Sequence, residues 1–87
     1  MGEAFTKLSA NEIAPVRING VSPGLIDTPM SPLQGEARED YYRGGTSEHL
    51  IKRAGTAEGV AAAIIFLLQN EFVTGTIVDV DGGAIVA

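Results

Sequence analysis

Apolar and polar residues recur along this chain with two different periods, which divide its first part into a helical and an extended stretch. From Ala4 to Ile13 the pattern is that of a helix with one apolar face, and Pro15 disfavours helical geometry in the residue before it. We therefore predict a helix over residues 2–13. From Val16 to Val21 apolar and polar positions partly alternate and Ser-Pro-Gly follows, which predicts a strand that runs into a loop.

The second part of the chain predicts an exposed helix, a strongly apolar helix and a final strand. Residues 25–55 contain prolines, glycines and a charged stretch, Glu36–Arg43, that is typical of an exposed helix on a long excursion. Thr56 can cap a further helix, in which Val60–Leu68 is apolar on every side and requires cover on more than one face. Residues 76–80 predict a strand that ends at a glycine pair.

The order of these elements favours an α/β fold. The order is helix, strand, a long connection with a short helix, helix and strand. In such a unit the two strands run parallel and the crossover is right-handed. Two strands are too few for an open parallel sheet, which normally has both faces covered and neighbours at its edges. We therefore expect residues 1–87 to be a single partial domain at one end of a larger sheet.

Composition and charge exclude several classes of partner. The chain has a net charge of −5 and its six basic residues form no patch, so we expect no nucleic-acid partner. The longest apolar run would span about 13–14 Å as a helix, against about 30 Å for a bilayer core, so we expect no membrane span. The chain has no cysteine, and its first residues lack the apolar core of a secretory signal, which favours a cytoplasmic protein.

One short motif suggests a serine hydrolase, but its residues cannot perform that chemistry. Gly20-Val-Ser-Pro-Gly24 matches Gly-x-Ser-x-Gly, and Asp27 and His49 follow it. In that mechanism the residue after the serine donates its backbone N–H to the oxyanion, and Pro23 has no N–H. We therefore reject this interpretation.

The remaining ionisable residues predict neither a metal site nor a catalytic pair. His49 is the only histidine and there is no cysteine to share a metal with it. Asp79 and Asp81 lie on the same side of the last strand but lack the other ligands of a calcium loop, which favours a structural turn. Neither Tyr41 nor Tyr42 has a lysine four residues further on.

Two motifs resemble the C-terminal portion of a short-chain dehydrogenase/reductase. They are Arg-Ile-Asn-Gly-Val-Ser-Pro-Gly-Leu-Ile-Asp-Thr-Pro-Met at residues 17–30 and Val-Thr-Gly-Thr-Ile-Val-Asp-Val-Asp-Gly-Gly at residues 73–83. The resemblance implies a Rossmann-like doubly wound parallel sheet and a parent that transfers hydride with NAD or NADP. Neither a Gly-x-x-x-Gly-x-Gly loop nor a Tyr-x-x-x-Lys pair occurs in the sequence, so we expect no catalytic residue, no activity and no bound cofactor from this chain alone.

The same resemblance implies which residues would contact the nicotinamide in the parent fold. Pro23 and Gly24 would form the turn, Ile26 would offer backbone groups to the carboxamide, and the Thr28 hydroxyl would bind the carboxamide or pyrophosphate side. From the residues alone, a plain turn is the first interpretation of Pro23-Gly24. Residues 30–54 would correspond to the variable substrate loop.

The resemblance also implies a homo-oligomer, because helix 56–70 and strand 76–80 correspond to elements that pair subunits in the family. Two alternatives stay open. The chain could be a self-associating interaction module, or it could be one half of a split oxidoreductase that another polypeptide completes.

Overall fold

The computed structural model describes residues 2–86 as an α/β unit with two small parallel sheets. In chain order its elements are α1 (Gly2–Ile13), β1 (Gly20–Pro23), β2 (Ile26–Asp27), α2 (Gly35–Gly45), β3 (Gly55–Thr56), α3 (Ala57–Gln69) and β4 (Ile77–Val80). Strand β1 pairs with β4, and β2 pairs with β3, both in parallel. The predicted α/β class is confirmed, and the sheet formed by β2 and β3 is an addition that the sequence pattern did not indicate.

Helices α1 and α3 lie on opposite faces of the β1–β4 sheet. On one face, a Cβ added to Gly2 of α1 would lie 3.3 Å from Ile77 Cδ1. Val21 is the next residue along β1 after Gly20, so its side chain lies on the opposite face of the sheet. There it lines a groove with Ile64 and Leu67 of α3. The sheet is therefore covered on both sides, as in a doubly wound fold.

The first strand begins later than the pattern over residues 16–21 predicted. The Val16 N–H donates to the Ile13 carbonyl at 2.9 Å, which closes a turn directly after α1. The N–H of Ile18 donates to the side-chain oxygen Oγ1 of Thr74 at 3.1 Å, not to a strand carbonyl. Residues 16–19 are therefore tied to the chain that precedes β4 without being part of the strand.

Helix α3 begins as predicted but stays largely uncovered. The Thr56 hydroxyl accepts from the Gly59 N–H at 3.0 Å, so Thr56 is the expected N-cap. Leu67 is the only buried residue of the helix, and four large apolar side chains are 44–69% exposed: Ile64, Ile65, Phe66 and Leu68. Among residues 2–86, no helix has both the length and the apolarity for a bilayer crossing. The cover that α3 was expected to need is not supplied by the described part of the chain.

One edge of β1 has no neighbouring strand within residues 2–86. The N–H groups of Gly20 and Gly24 donate to β4-side carbonyls, those of Thr76 and Val80, both at 2.9 Å. Because main-chain groups alternate between the two edges of a strand, the N–H and C=O of Val21 face the opposite edge. Only β4 pairs with β1, so this second edge is open.

Candidate functional site

Pro23 and Gly24 lie at the carboxyl end of β1, next to the residue that follows β4. The Gly24 N–H donates to the Val80 carbonyl at 2.9 Å, and a Cβ added to Gly24 would lie 2.8 Å from both Cα and Cβ of Asp81. Only glycine fits this approach, because Asp81 Cα belongs to the main chain and cannot rotate away. The carboxyl ends of parallel strands are also where open α/β sheets bind their ligands.

Ile26 lies in β2, and its main-chain groups face away from β3. The pairing partner of Ile26 is Gly55, whose N–H donates to the Leu25 carbonyl at 2.9 Å. In a parallel pair with this register, the residues on either side of Ile26, and not Ile26 itself, make the main-chain hydrogen bonds to β3. The N–H and C=O of Ile26 therefore point to the opposite edge, and Gly55 leaves room for the Ile26 side chain, whose Cδ1 would lie 2.8 Å from an added Cβ.

Thr28 follows β2 and begins a turn, and its carbonyl oxygen accepts two hydrogen bonds. The Thr28 carbonyl accepts from the Ser31 N–H at 3.1 Å and from Nη2 of Arg38 at 2.8 Å. Pro29 stands at the second position of this turn, where its fixed φ is favourable. The four predicted site residues thus lie along one stretch of chain, residues 23–28, that leads from the end of β1 through β2.

A cavity of about 350 Å³ lies beside this run, at the same end of the sheet. Its lining includes Leu25, Ile51, Arg53, Thr56 and residues 79–83. None of the four predicted cofactor residues lines it. The structure therefore places the predicted residues next to this cavity but does not gather them around it.

Sequence analysis missed an ion pair within the site. Nε of Arg38 donates to Asp27 Oδ1 at 2.9 Å, and Nη2 of Arg38 donates to the same oxygen. The hydrogen bond to Asp27 raises the pKa of Arg38, the Asp27 charge adds to this, and partial desolvation opposes it. Arginine is a cation at every physiological pH, so the pair with Asp27 joins opposite charges. The charged stretch around Arg38 predicted only an exposed helix, and the partner lies in a different element.

Two polar residues of the first motif, Arg17 and Asn19, are structural. The Arg17 guanidinium donates to three carbonyls at and beyond the end of α3, those of Leu67, Val73 and Leu68, at 2.9, 3.0 and 3.2 Å. Asn19 Nδ2 donates to the Val73 carbonyl at 3.0 Å, and Asn19 Oδ1 accepts from the Thr76 N–H at 3.1 Å. These side chains connect the start of β1 to the end of α3 and to the link that leads into β4.

The second motif ends in the structural turn that the sequence predicted. Asp81 Oδ1 accepts from the Gly83 N–H at 2.9 Å, and Gly82 and Gly83 have φ values of 63° and 81°. The Gly82 carbonyl accepts from the Ile51 N–H at 2.8 Å, so the residues that follow α2 pack on this turn. Half-buried His49 lies in the same region, and no group of three potential ligands for a metal ion occurs among residues 2–86.

Pro23 and Gly24 do not form the turn that was predicted for them: Pro23 is the last residue of β1, the Gly24 N–H continues the bonding to β4, and the chain bends at Leu25. A parallel sheet with helices on both faces and a ligand-binding edge at the carboxyl ends of its strands is typical of Rossmann-like α/β domains. The chain belongs to the short-chain dehydrogenase/reductase family. A family model described as enoyl-(acyl carrier protein) reductase matches residues 2–84. The resemblance carried by the two motifs is therefore confirmed.

The chain is similar to curated proteins of this family but spans only about a third of their length. A short-chain dehydrogenase/reductase of Stachybotrys chlorohalonatus is 40% identical over 82 residues, which cover 94% of this chain and 32% of that protein. A 3-oxoacyl-(acyl-carrier-protein) reductase of Thermotoga maritima is also 40% identical, over 94% of this chain and 34% of its own length. The chain thus corresponds to a partial segment of each.

Solved structures confirm the predicted fold. A small-chain dehydrogenase in complex with NADPH superposes with a TM-score of 0.80 at 40% identity, over 98% of this chain and 39% of that one. The ligand-free aldohexose dehydrogenase of Thermoplasma acidophilum gives a TM-score of 0.80 at 32% identity, over 99% and 38%. The roles of Pro23, Gly24, Ile26 and Thr28 remain predictions.

Proposed function

We propose that residues 1–87 form a single partial domain, the C-terminal segment of an NAD- or NADP-dependent oxidoreductase. In this proposal the segment carries part of the nicotinamide pocket, the substrate loop and a subunit-contact surface. The observation that carries it is the end of β1, where Gly24 lies against Asp81 at the ligand-binding edge of a parallel sheet. The NADPH complex of a structural relative supports the choice of cofactor class.

The chemistry of the site residues fits a nicotinamide carboxamide. A carboxamide has one carbonyl acceptor and two N–H donors, and Ile26 presents one N–H and one C=O at the free edge of β2. The Thr28 hydroxyl can donate and accept in the same region. Nicotinamide, once bound, would exchange a hydride with substrate, while these residues hold its carboxamide in a fixed orientation.

The proton donor and the pyrophosphate loop must come from residues other than these 87. The sequence contains no Tyr-x-x-x-Lys pair and no Gly-x-x-x-Gly-x-Gly loop. A lysine-activated tyrosine supplies general acid catalysis, and the glycine loop holds the dinucleotide at a helix N-terminus. We therefore propose that the 87-residue chain is inactive alone and binds no cofactor without the residues that complete the site.

The first experiment tests whether another polypeptide must supply the proton donor and the pyrophosphate loop. The purified chain alone should leave nicotinamide absorbance unchanged with any carbonyl or alcohol substrate. Mixing it with a polypeptide that carries the family's glycine loop and Tyr-x-x-x-Lys pair should produce turnover, because the two halves then complete one site. Turnover by the chain alone would contradict the proposal, and no turnover with any partner polypeptide would eliminate the split enzyme.

A second candidate function is self-association, with or without a catalytic role. The exposed apolar side chains of α3 and the open edge of β1 favour it. A further copy of the chain that packs on α3 would supply the cover that this helix requires. Helix 56–70 and strand 76–80 are the surface that we propose for this contact.

Two leucines with nearly equal exposure allow a matched test of this surface. Leu68 of α3 is 69% exposed and Leu8 of α1 is 66% exposed. In sedimentation equilibrium we expect Leu68→Lys to weaken self-association by about tenfold or more, since it places a charge within the apolar contact. Leu8→Lys should change it by less than about twofold. A monodisperse monomer at every concentration, or equal effects of both substitutions, would contradict this candidate.

A further inference from the structure

Helix α2 has no buried residue, so contacts at a few points must hold it in place. It is 11 residues long, and an isolated helix of that length is marginal in water. Its N-cap residue, Gln34, makes no side-chain capping bond. The position of α2 therefore depends on the contacts that it makes with other elements.

Both ends of α2 are attached to the same short segment, Leu25–Thr28. Near its start, Arg38 binds the Asp27 carboxylate and the Thr28 carbonyl. At its end, Gly45 lies so close to Leu25 that an added Cβ would be 2.7 Å from Leu25 Cδ2. The polar attachment and the apolar attachment thus act on the residues that carry Ile26 and Thr28.

The Arg38 guanidinium binds acceptors from three residues at once. Nε and Nη2 donate to Asp27 Oδ1, Nη2 also donates to the Thr28 carbonyl at 2.8 Å, and Nη1 donates to the Leu33 carbonyl at 3.4 Å. The planar fork of arginine allows this arrangement, whereas a lysine ammonium on a flexible stem does not reproduce it. The Thr28 carbonyl also accepts from the Ser31 N–H, so the Ser31 amide is bonded to the same oxygen that Arg38 binds.

We propose that Arg38 is a positioning residue that couples the docking of α2 to the conformation of the turn at Thr28. Docked α2 fixes the direction of the Thr28 main chain, and a released α2 frees it. By thermodynamic reciprocity, a ligand that holds Thr28 also favours docked α2. The link to a nicotinamide ligand rests on the proposed function, whereas the coupling between α2 and Thr28 does not.

Amide hydrogen exchange on the 87-residue chain tests this coupling without any cofactor. The Ser31 amide reports on the turn at Thr28, the Tyr42 amide reports on the middle of α2, and the Gly24 amide serves as a reference in the sheet. In Arg38→Ala we expect exchange at Ser31 and Tyr42 to rise together, by about tenfold, because several charge-assisted hydrogen bonds are lost. Exchange at Gly24 should stay unchanged.

Arg43 supplies the matched control on the same helix. It pairs only with Asp40 within α2, at 2.9 Å, and both side chains are about 70% exposed. Arg43→Ala should change exchange at Ser31 by less than about twofold. An unchanged Ser31 rate in Arg38→Ala would overturn the proposal, and so would an equal rise in the Arg43 variant.

If Arg38→Ala also accelerates exchange of the Gly24 amide, this variant has lost its fold. Arg38→Lys then tests the coupling in its place. This variant keeps the charge but not the fork, so Ser31 should exchange faster while Gly24 stays protected. A wild-type Ser31 rate in Arg38→Lys would overturn the proposal. Since the exchange samples contain no nicotinamide, failure here leaves the proposed function standing, and failure of the mixing experiment leaves the coupling standing.

Discussion

Replacing Gly24 with alanine is expected to lower the free energy of unfolding by about 1–3 kcal/mol, the usual cost of forcing extra volume into a close contact. The added methyl would lie 2.8 Å from both Cα and Cβ of Asp81. Relief requires the ends of β1 and β4 to separate, which would strain the Gly24 N–H bond to the Val80 carbonyl. Urea denaturation followed by circular dichroism measures the change.

Gly44 is a matched control for the same substitution. It lies in α2 and has no atom within 4 Å of an added Cβ. Because alanine favours helix by about 1 kcal/mol over glycine, Gly44→Ala should leave stability unchanged or raise it slightly. If Gly24→Ala were as stable as Gly44→Ala, the close approach of Gly24 to Asp81 would be contradicted, and so would the geometry of the candidate site.

The helices could be predicted because the information that defines them is local. The predicted bounds of α1, residues 2–13, are those of the structure, and Thr56 caps α3. The hydroxyl of Thr56 and the spacing of apolar residues lie within one or two turns of the element that they define. No distant partner is needed to interpret them.

The strands were harder to predict because a strand is defined by its partner. The alternation over residues 16–21 is real, but the side chains of Arg17 and Asn19 and the N–H of Ile18 bind loop and helix-end groups, and the ladder starts only at Gly20. Strands β2 and β3 have two residues each, too few for any period to show.

The candidate site was predicted in outline but not in its contacts. A strand followed by Pro-Gly indicates a turn, yet the reason for glycine at position 24 is the approach of Asp81, which depends on the register between β1 and β4. The Asp27–Arg38 pair likewise joins a strand to a helix, and its two residues do not have the spacing of three or four that would indicate a pair within one helix. Such contacts follow from topology, so from sequence only the resemblance to a family indicates where the candidate site lies.

Replacing Arg17 with alanine is expected to destabilise the chain by about 2–3 kcal/mol, because hydrogen bonds from a charged donor each contribute about 1.5–3 kcal/mol and water recovers part of the loss. The last turn of α3 has no basic residue of its own. Arg17 brings a positive charge to the negative end of that helix and binds its Leu67 and Leu68 carbonyls. Urea denaturation, with the exchange rate of the Asn70 amide as a local probe, measures the effect.

Two variants separate this role from a general effect of charge. Arg17→Lys keeps the charge but can bind fewer carbonyls at once, so it should recover only part of the loss. Arg53→Ala removes an exposed guanidinium whose Nη1 donates only to the neighbouring Ala54 carbonyl, and it should change stability by less than about 0.5 kcal/mol. Full recovery in Arg17→Lys would mean that charge at the end of α3 suffices. A loss in Arg53→Ala equal to that in Arg17→Ala would show that removal of a positive charge, and not the loss of the Arg17 hydrogen bonds to the end of α3, causes the effect.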